Sequence, residues 1–547
     1  MARNTKLTAI LAFGASLLAL SLWVVRHDIS DDPLGAGNSF GYLREQLDLR
    51  SCSGWDSGRG AEYDPPGCSR ARQYRQLEAL LEKEEVLHQL SDHAYRHNLE
   101  SVGRLKACLT GKLRCPPRPL IISGYWYFTE AANPARSSTT GEVIWMKSVQ
   151  DQLHANGYIT LGVNAYQEMV ALSKWLPDLI HMVWTQDVQV VSCLSDRRCI
   201  TPEHYVAPIL QPNETVSGEE EEDIPESELG AIPIWRLFAT DYWGSRPGRH
   251  EASGYWWDID EDEEWSHNPL GQEWTVTPFD YPGHSWLPMS IEKSCMQTPY
   301  VDHDKRNDTA LVYAKKIEYF YHPNAPELDT WSWLANTSDK IRPFDIISTA
   351  QNWHNPGEED FELPPGLESL GSKSRSAYNR LLSQVRALIG IGNPLISPSV
   401  YSALCQGVPV VIPYFQEYPE PPGWYLFNGL YGQHGPAAAL GEPYVYSYKF
   451  DDRDDLLDKL NRAMSNPIQR YIPPDLKWGN AVARTRRFLT RDWHGEFNRR
   501  VKLAGGIPIL DPKITIRCYE LNRCKQVDPG NPFHQQWQEA QASKLFD

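Results

Sequence analysis

The sequence predicts an α/β protein made of two doubly wound, Rossmann-like domains that face each other across a cleft, and three observations carry that expectation. From Pro119, PLIISGYWYF, TTGEVIWMKSVQDQLHANG and YITLGV read as strand, helix and strand, an order that builds a parallel βαβ unit. The alternation returns with TALVYAKKIEYFY, a helix near DTWSWLANTSDKI, the strand FDIIST and the helix-to-strand run SAYNRLLSQVRALIGIG. The stretch GIGNPLISPSVYSALCQGVPVVIPY, residues 390–414, then supplies a turn, a proline-started helix and another apolar strand. Two such units predict a ligand in the cleft outside the strands' carboxyl ends.

In chain order, residues 1–6 read as a cytosolic tail and residues 7–25, LTAILAFGASLLALSLWVV, as a membrane anchor. A helix rising about 1.5 Å per residue over such a run nearly crosses a hydrocarbon core of about 30 Å. Arg3 and Lys6 precede it and Asp28, Asp31 and Asp32 follow, so the positive-inside rule puts the bulk of the chain in the lumen. A cleaved signal peptide is the other reading of the run. Residues 26–110 are expected to form a stem. Within it Leu77, Leu80, Leu81, Leu87, Leu90, Leu99, Val102 and Leu105 mark an amphipathic helix. Such a helix could pair two copies as a homodimer or pack onto the next domain.

The N-terminal domain is assigned to residues 111–300, with Thr140 as N-cap of its first long helix and Gly157 at that helix's end. The acidic, Pro-bearing stretch 211–228 reads as a solvated loop insertion. The Trp-, Tyr- and Pro-dense stretch 251–298 reads as an irregular surface between domains, whose indoles are candidates for stacking on sugars. The C-terminal domain covers 301–478. Residues 479–547 hold a long helix around 480–504 and a cysteine-bearing tail.

The balance of charge narrows the partners. With a net charge of −17 over 547 residues, the chain lacks the cationic surface that a general nucleic-acid binder needs. Ten cysteines include three close pairs: Cys108 with Cys115, Cys193 with Cys199, and Cys518 with Cys524. None has metal-site spacing, which suits short disulfides in an oxidising compartment. Asn213, Asn307 and Asn336 head glycosylation sequons.

Three stretches carry candidate chemistry. In 390–414, Gly390 and Gly392 permit a tight strand exit, Pro398 starts a helix, and Ser397 and Ser399 offer hydroxyls. Free N–H groups at that helix start suit a diphosphate; an ordinary strand-helix connection has the same look, and no GK[ST] follows. Glu142, in SSTTGEVIW, is either a complement to the helix dipole or a general base at the cleft. Asp258-Ile259-Asp260 imitates a DxD metal site, although the acidic run continues to Glu264 and reads as a solvated loop.

In their order, TTGEVIWMKSVQDQLHANGYI, WRLFATDYWGSRPG, QEWTVTPFDYPGHSWLPMSIE, LVYAKK, RLLSQVRALIGIGNP and PYVYSYKFDDRDDLLDKL resemble glycosyltransferase family 18, the α-1,6-mannosylglycoprotein 6-β-N-acetylglucosaminyltransferases. The resemblance covers roughly residues 115–495. It implies a GT-B fold and a type II protein of the Golgi membrane. It also implies metal-independent, inverting transfer of N-acetylglucosamine from UDP-GlcNAc to the 6-hydroxyl of an α-mannose on an N-glycan. Glu142 falls on the family's catalytic glutamate, and Lys315 on a lysine that opens the donor domain. The residues matched to donor binding are Lys315, Gly390, Gly392, Ser397, Pro398, Ser399 and Ser402; no cofactor is implied. One departure stands out: where the family reads PYEGPAPLEA this chain reads PLISPSVYSA, so Ile396 and Ser402 replace two donor-binding glutamates. That substitution leaves open another nucleotide sugar, or a non-catalytic lumenal glycan-binding protein on the same fold.

Overall fold

The computed structural model describes residues 68–504 apart from 82–93, 134–139, 205–223, 243–269, 353–359, 418–430 and positions 165, 187–188, 191–192, 194–195, 271, 282 and 338. The 7–25 run, the acidic 258–264 run and Asn213 lie outside these residues. Among the described residues no helix is long and apolar enough to cross a membrane.

The first domain comprises α1 (Cys68–Leu81), α2 (Tyr95–Leu109), β1 (Leu120–Ser123), α3 (Trp126–Ala132), α4 (Gly141–Ala155), β2 (Ile159–Gly162), α5 (Tyr166–Trp175), β3 (Ile180–Thr185), β4 (Leu237–Thr240), β5 (Thr275–Thr277), β6 (Ser285–Trp286) and α6 (Glu292–Met296). Its strands run parallel in the order β2-β1-β3-β4-β5-β6. β1 and β2 are buried along their whole length, as expected of a sheet covered on both faces, where near-continuous apolar runs replace alternation. The order of strands reverses between β1 and β3.

Of the amphipathic stretch assigned to the stem, the described parts form α1 and α2, with Leu87 and Leu90 outside the described residues; α2 packs on β2, and α1 packs on α2 and α5. Leu77, Leu80, Val102 and Leu105 enter the core. Asn98 fixes the register, its amide donating to the Gly162 carbonyl at 2.8 Å and accepting from the Gly162 N–H at 2.9 Å. The packed unit therefore begins by residue 68 rather than at 111. Within the stretch 251–298, residues 275–277 and 285–286 are regular, as the short strands β5 and β6 that extend the sheet edge.

The second domain comprises β7 (Thr309–Val312), α7 (Asp329–Asn336), β8 (Asp345–Ser348), β9 (Glu368–Ser369), α8 (Arg375–Leu382), β10 (Ala387–Ile389), α9 (Pro398–Cys405), β11 (Val410–Tyr414), α10 (Gly435–Ala438), β12 (Val445–Lys449) and α11 (Arg453–Ser465). The parallel order is β12-β11-β10-β7-β8-β9. Counted from β7 as the first strand, that is 3-2-1-4-5-6 from the β9 edge, the dinucleotide-binding order, with its switch point between β7 and β10. Asn307 and Asn336 are both exposed, before β7 and at the end of α7.

The chain then crosses back to the first domain as α12 (Trp478–Thr490) and α13 (Trp493–Ala504). The single helix expected around 480–504 is broken because Asp492 accepts from the Gly495 N–H at 2.8 Å and so caps a new start. On α12, Thr485 donates to Gln152 of α4 at 2.6 Å, while Phe488 of α12 and Trp493 of α13 pack against Phe238.

Two of the three close cysteine pairs expected fall within the described residues. Cys108–Cys115 and Cys193–Cys199 are disulfides. Cys518 and Cys524 both lie outside the described residues, so the bridge expected between Cys518 and Cys524 is not among the disulfides described. A further described disulfide, Cys295–Cys405, joins α6 at the end of the first domain to the last residue of α9 across 110 residues. Chain folding brings those two together, a pairing that closeness in sequence does not suggest.

Candidate active site

A cavity of about 320 Å³ lies between the two sheets, lined from the first domain by the start of α4 and from the second by the loop after β7 and the starts of α8 and α9. It sits at the β7/β10 switch point, where the topology places ligands. Glu142, Lys315, Ile396, Ser397, Pro398, Ser399 and Ser402 all line it, so residues spread over 260 positions of sequence converge.

The α4 side is set by its cap and its buried face. Thr140 accepts from the Val143 N–H, starting the helix one residue before Glu142. Behind it the wholly buried Trp145 donates to the Leu287 carbonyl at 2.9 Å, and Gln152 donates to the Pro288 carbonyl at 2.7 Å. Gly141 admits no side chain: a Cβ there would stand 2.3 Å from the Tyr242 hydroxyl and 3.3 Å from Pro398 of the opposite domain. The two helix starts are thus in near contact. Glu142 is half-buried, and among the described residues no hydrogen bond or ion pair engages its carboxylate.

Its charge reaches the groups around it. Burial pushes the phenols of Tyr127 and Tyr242 up, and the Glu142 carboxylate adds to the shift. Burial pulls the Lys315 ammonium below the usual lysine range, while Glu142 pulls it back. A carboxylate from one domain and an ammonium from the other thus share the cavity.

On the α9 side, Ser397 is the N-cap, accepting from the Ser399 N–H at 3.2 Å, so part of its hydroxyl capacity serves the helix. The Ser399 side chain hydrogen-bonds Tyr378, whose phenol burial pushes up to about 12. Gly390 and Gly392 do not line the cavity; they shape the turn that leads to it. Gly392 has φ +92° and donates to Gln433 Oε1 at 3.0 Å, while Gly390 accepts from the Tyr448 hydroxyl at 2.9 Å. His434, in the left-handed region at φ 54°, holds the next stretch: its Nε2 lies 2.9 Å from the Ser397 carbonyl, and its N–H donates to Leu395 at 2.7 Å.

Several lining residues went unread in the sequence. Ser372, Lys373, Arg375, Tyr378 and Asn379 come from the start of α8, where Ser374 caps the helix by accepting from the Ala377 N–H. The signal was GSKSR, a small-residue turn with two cations at a helix start. Tyr127, Tyr313 and Tyr319 supply the aromatic wall. The indoles expected to stack on sugars do not supply it where they are described. Trp274 is wholly buried among Phe238, Trp493 and its own strand layer, and Trp286 lies under the Arg484 guanidinium, 4.0 Å away.

Among the described lining residues Glu142 is the one carboxylate, against the cations Lys315, Lys373 and Arg375. No group of three His, Cys, Asp or Glu side chains gathers to hold a metal ion among the described residues. The cavity's chemistry suits an anion on the α9 side and an exchangeable proton beside Glu142.

Known proteins can be set beside this geometry. Over 246 residues the chain is 22% identical to the α-1,6-mannosylglycoprotein 6-β-N-acetylglucosaminyltransferase A of Cricetulus griseus, and equally to that of Homo sapiens. The chain resembles the family 18 glycosyltransferases. The match covers 43% of this chain and 31% of each relative, so it spans about a third of their length. No family model matches the chain. Similar solved structures include a kitacinnamycin glycotransferase (10% identity, 68% of this chain and 95% of that one, TM-score 0.32) and the UDP-GlcNAc 2-epimerase of Methanocaldococcus jannaschii (9%, 68% and 98%, 0.29). At such scores the assignment to two facing Rossmann-like domains stands on strand order and parallel register.

Proposed function

We propose that the chain is an inverting glycosyltransferase that moves N-acetylglucosamine from UDP-GlcNAc to the 6-hydroxyl of an α-mannose on N-glycans, as a type II protein of the Golgi membrane. The observation that carries this reading is the convergence of the Glu142 carboxylate, Lys315 and the start of α9 in one cavity. The similarity to acetylglucosaminyltransferases supports it.

In this reading Glu142 takes the proton of the acceptor hydroxyl as its oxygen attacks the anomeric carbon. The bond from that carbon to the diphosphate oxygen breaks and the configuration inverts. UDP departs with its charge against the N–H groups of α9 and against Lys315, which are fixed in place before charge develops. No step needs a metal ion. Ile396 and Ser402, both at the cavity wall, favour a second reading within the same chemistry, a donor other than UDP-GlcNAc.

The test is transfer by the full-length chain in detergent, with UDP-GlcNAc and other nucleotide sugars, a mannose-terminated N-glycan acceptor, and EDTA in half the samples. The expected product is a β-1,6-linked N-acetylglucosamine, formed equally with EDTA. Transfer of another sugar moves the assignment to the second reading. Saturable glycan binding with no transfer from any donor defeats both.

A further inference from the structure

We propose that the first domain carries an anion site on the face opposite the cleft, formed by Arg118 and Arg236 at the starts of neighbouring strands. It takes a phosphate group, either as the free ion or at the end of an ester such as a lipid headgroup. The site goes beyond the transferase reading and does not depend on it.

Its placement follows from the sheet. Parallel strands that point their carboxyl ends at the cleft put all their starts on the far face, and β1, β3 and β4 are neighbours there. Arg118 stands two residues before β1, Asp178 two before β3 and Arg236 one before β4. Arg72 of α1 reaches the same place and donates to the Asp178 carboxylate at 2.7 Å. His181, the second residue of β3, feels the guanidiniums of both Arg118 and Arg236 as neighbouring charges. Asp178 is the carboxylate that acts on both arginines, and it is already engaged, accepting from Arg72 and, at 2.9 Å, from Gln76. Three guanidiniums thus share one carboxylate.

Arg236 is the decisive group. It is half-buried, and its Nε is enclosed with no hydrogen-bond partner among the described residues. Its guanidinium lies over the Trp235 ring, 4.5 Å from the centre, a contact that packs the cation and supplies no hydrogen-bonding oxygen. Burial brings its pKa from 12.5 down to about 9, with Arg118 pushing the same way and Asp178 opposing, so it stays charged at neutral pH. Arg118, also half-buried, donates to the Pro177 carbonyl at 3.0 Å from one end of its fork and keeps further N–H groups to offer. His181 adds no charge of its own: burial above all holds its pKa at about 4, and its Nε2 lies 2.9 Å from the Leu489 carbonyl. Guanidiniums drawn out of water without a matching acceptor are costly, and a phosphate group supplies both the missing charge and oxygens that suit their forks.

The test is thermal melting of the full-length chain in detergent, with inorganic phosphate or glycerol 3-phosphate added up to about 50 mM and chloride holding the ionic strength constant. In chloride alone, Arg236→Met keeps a stem over Trp235 and removes the under-compensated charge, so it should melt as high as the wild type or about 1–3 °C higher. Phosphate should raise the wild type by about 2–5 °C and Arg236→Met by much less, with Arg118→Gln between them. The difference between wild type and Arg236→Met reads this site alone, since phosphate bound in the cleft stabilises both equally. A difference with inorganic phosphate alone assigns the site to the free ion, and one with glycerol 3-phosphate extends it to esters. Equal rises in the two chains, none included, overturn the inference. So does an Arg236→Met variant that melts well below the wild type in chloride alone, because the chain then supplies its own counter-charge. Transfer activity enters neither reading, so the two proposals fail separately.

Discussion

The starts of α4 and α9 meet across the cleft with similar geometry and opposite chemistry. α9 follows the buried strand β10 and α4 follows the short helix α3, yet each is capped by a hydroxyl, Thr140 or Ser397, and a Cβ on Gly141 would stand 3.3 Å from Pro398. Yet α4 presents a carboxylate in its first turn, while α9 presents proline and serines with no charge of its own. The difference teaches that the helix N-terminus is a neutral device whose use is set by the next two or three side chains. With Glu142 the α4 end repels an anion and can accept a proton. With Ser397, Pro398 and Ser399, and with Lys373 and Arg375 brought in by α8, the α9 end attracts one.

Removing the charge on the α4 side should break that division most strongly. Glu142→Gln is expected to lower turnover by roughly 10²–10⁴-fold in a transfer assay, with a melting temperature close to that of the wild type, since no hydrogen bond to its carboxylate is lost among the described residues. The tether at the other end of α9 comes next. Replacing Cys295 and Cys405 together by Ser opens a loop of 110 residues and should cost up to about 4.7 kcal/mol in denaturant titration. The peptide contacts there survive the change: Arg470 still donates to the Thr298 carbonyl and Arg306 to the carbonyls of Gln406 and Gly407.

Gly141→Ala probes the contact between the two helix starts. Its Cβ would press on the Tyr242 hydroxyl, so α4 must shift, with an expected loss of about tenfold to 100-fold in turnover. Adding Tyr242→Phe removes the clashing oxygen and should return part of the activity; no recovery would mean that Pro398 is the harder obstacle.

The remaining effect concerns pH. Burial brings His434 down to about 4 from 6.5, against the hydrogen bond to Ser397 that favours its charge. The unfolded chain therefore binds that proton more readily between these values. The neutral histidine's contribution to stability is complete above about pH 6.5 and declines as pH falls toward 4, by up to about 1.4 kcal/mol per pH unit. His97 and His181, also lowered to about 4 by burial, add in the same direction. Denaturant midpoints at about pH 7 and pH 4.5 should differ accordingly, and equal midpoints would contradict the account.

Much of this architecture was legible in the residues. Strands buried on both faces spell continuous apolar runs, and Thr140 and Pro398 announce their helix starts, so the βαβ units and both sides of the cleft could be placed. The parts that escaped depend on relations the local sequence does not hold. Cys295 and Cys405 pair across the linker, whereas cysteines six or seven apart suggest each other. GSKSR looks like a solvated turn until the fold carries it to the cavity. The amphipathic stretch before Cys108 fits a stalk as well as a sheet face, and Leu77 and Leu105 decide for the sheet by being buried. Trp145, Trp184, Trp274 and Trp331 are wholly buried, so indole abundance here reports on packing, and tyrosines line the cavity instead.

The central claim is that the two helix starts do separate jobs, proton removal by α4 and diphosphate binding by α9. The most direct measurement is the UDP dissociation constant of Glu142→Gln beside that of the wild-type chain, by calorimetry. The account predicts equal or slightly tighter binding, within about threefold, in a variant whose turnover has collapsed. UDP affinity that falls in step with turnover would show that Glu142 holds the donor and would contradict the division of labour between the two sides of the cleft.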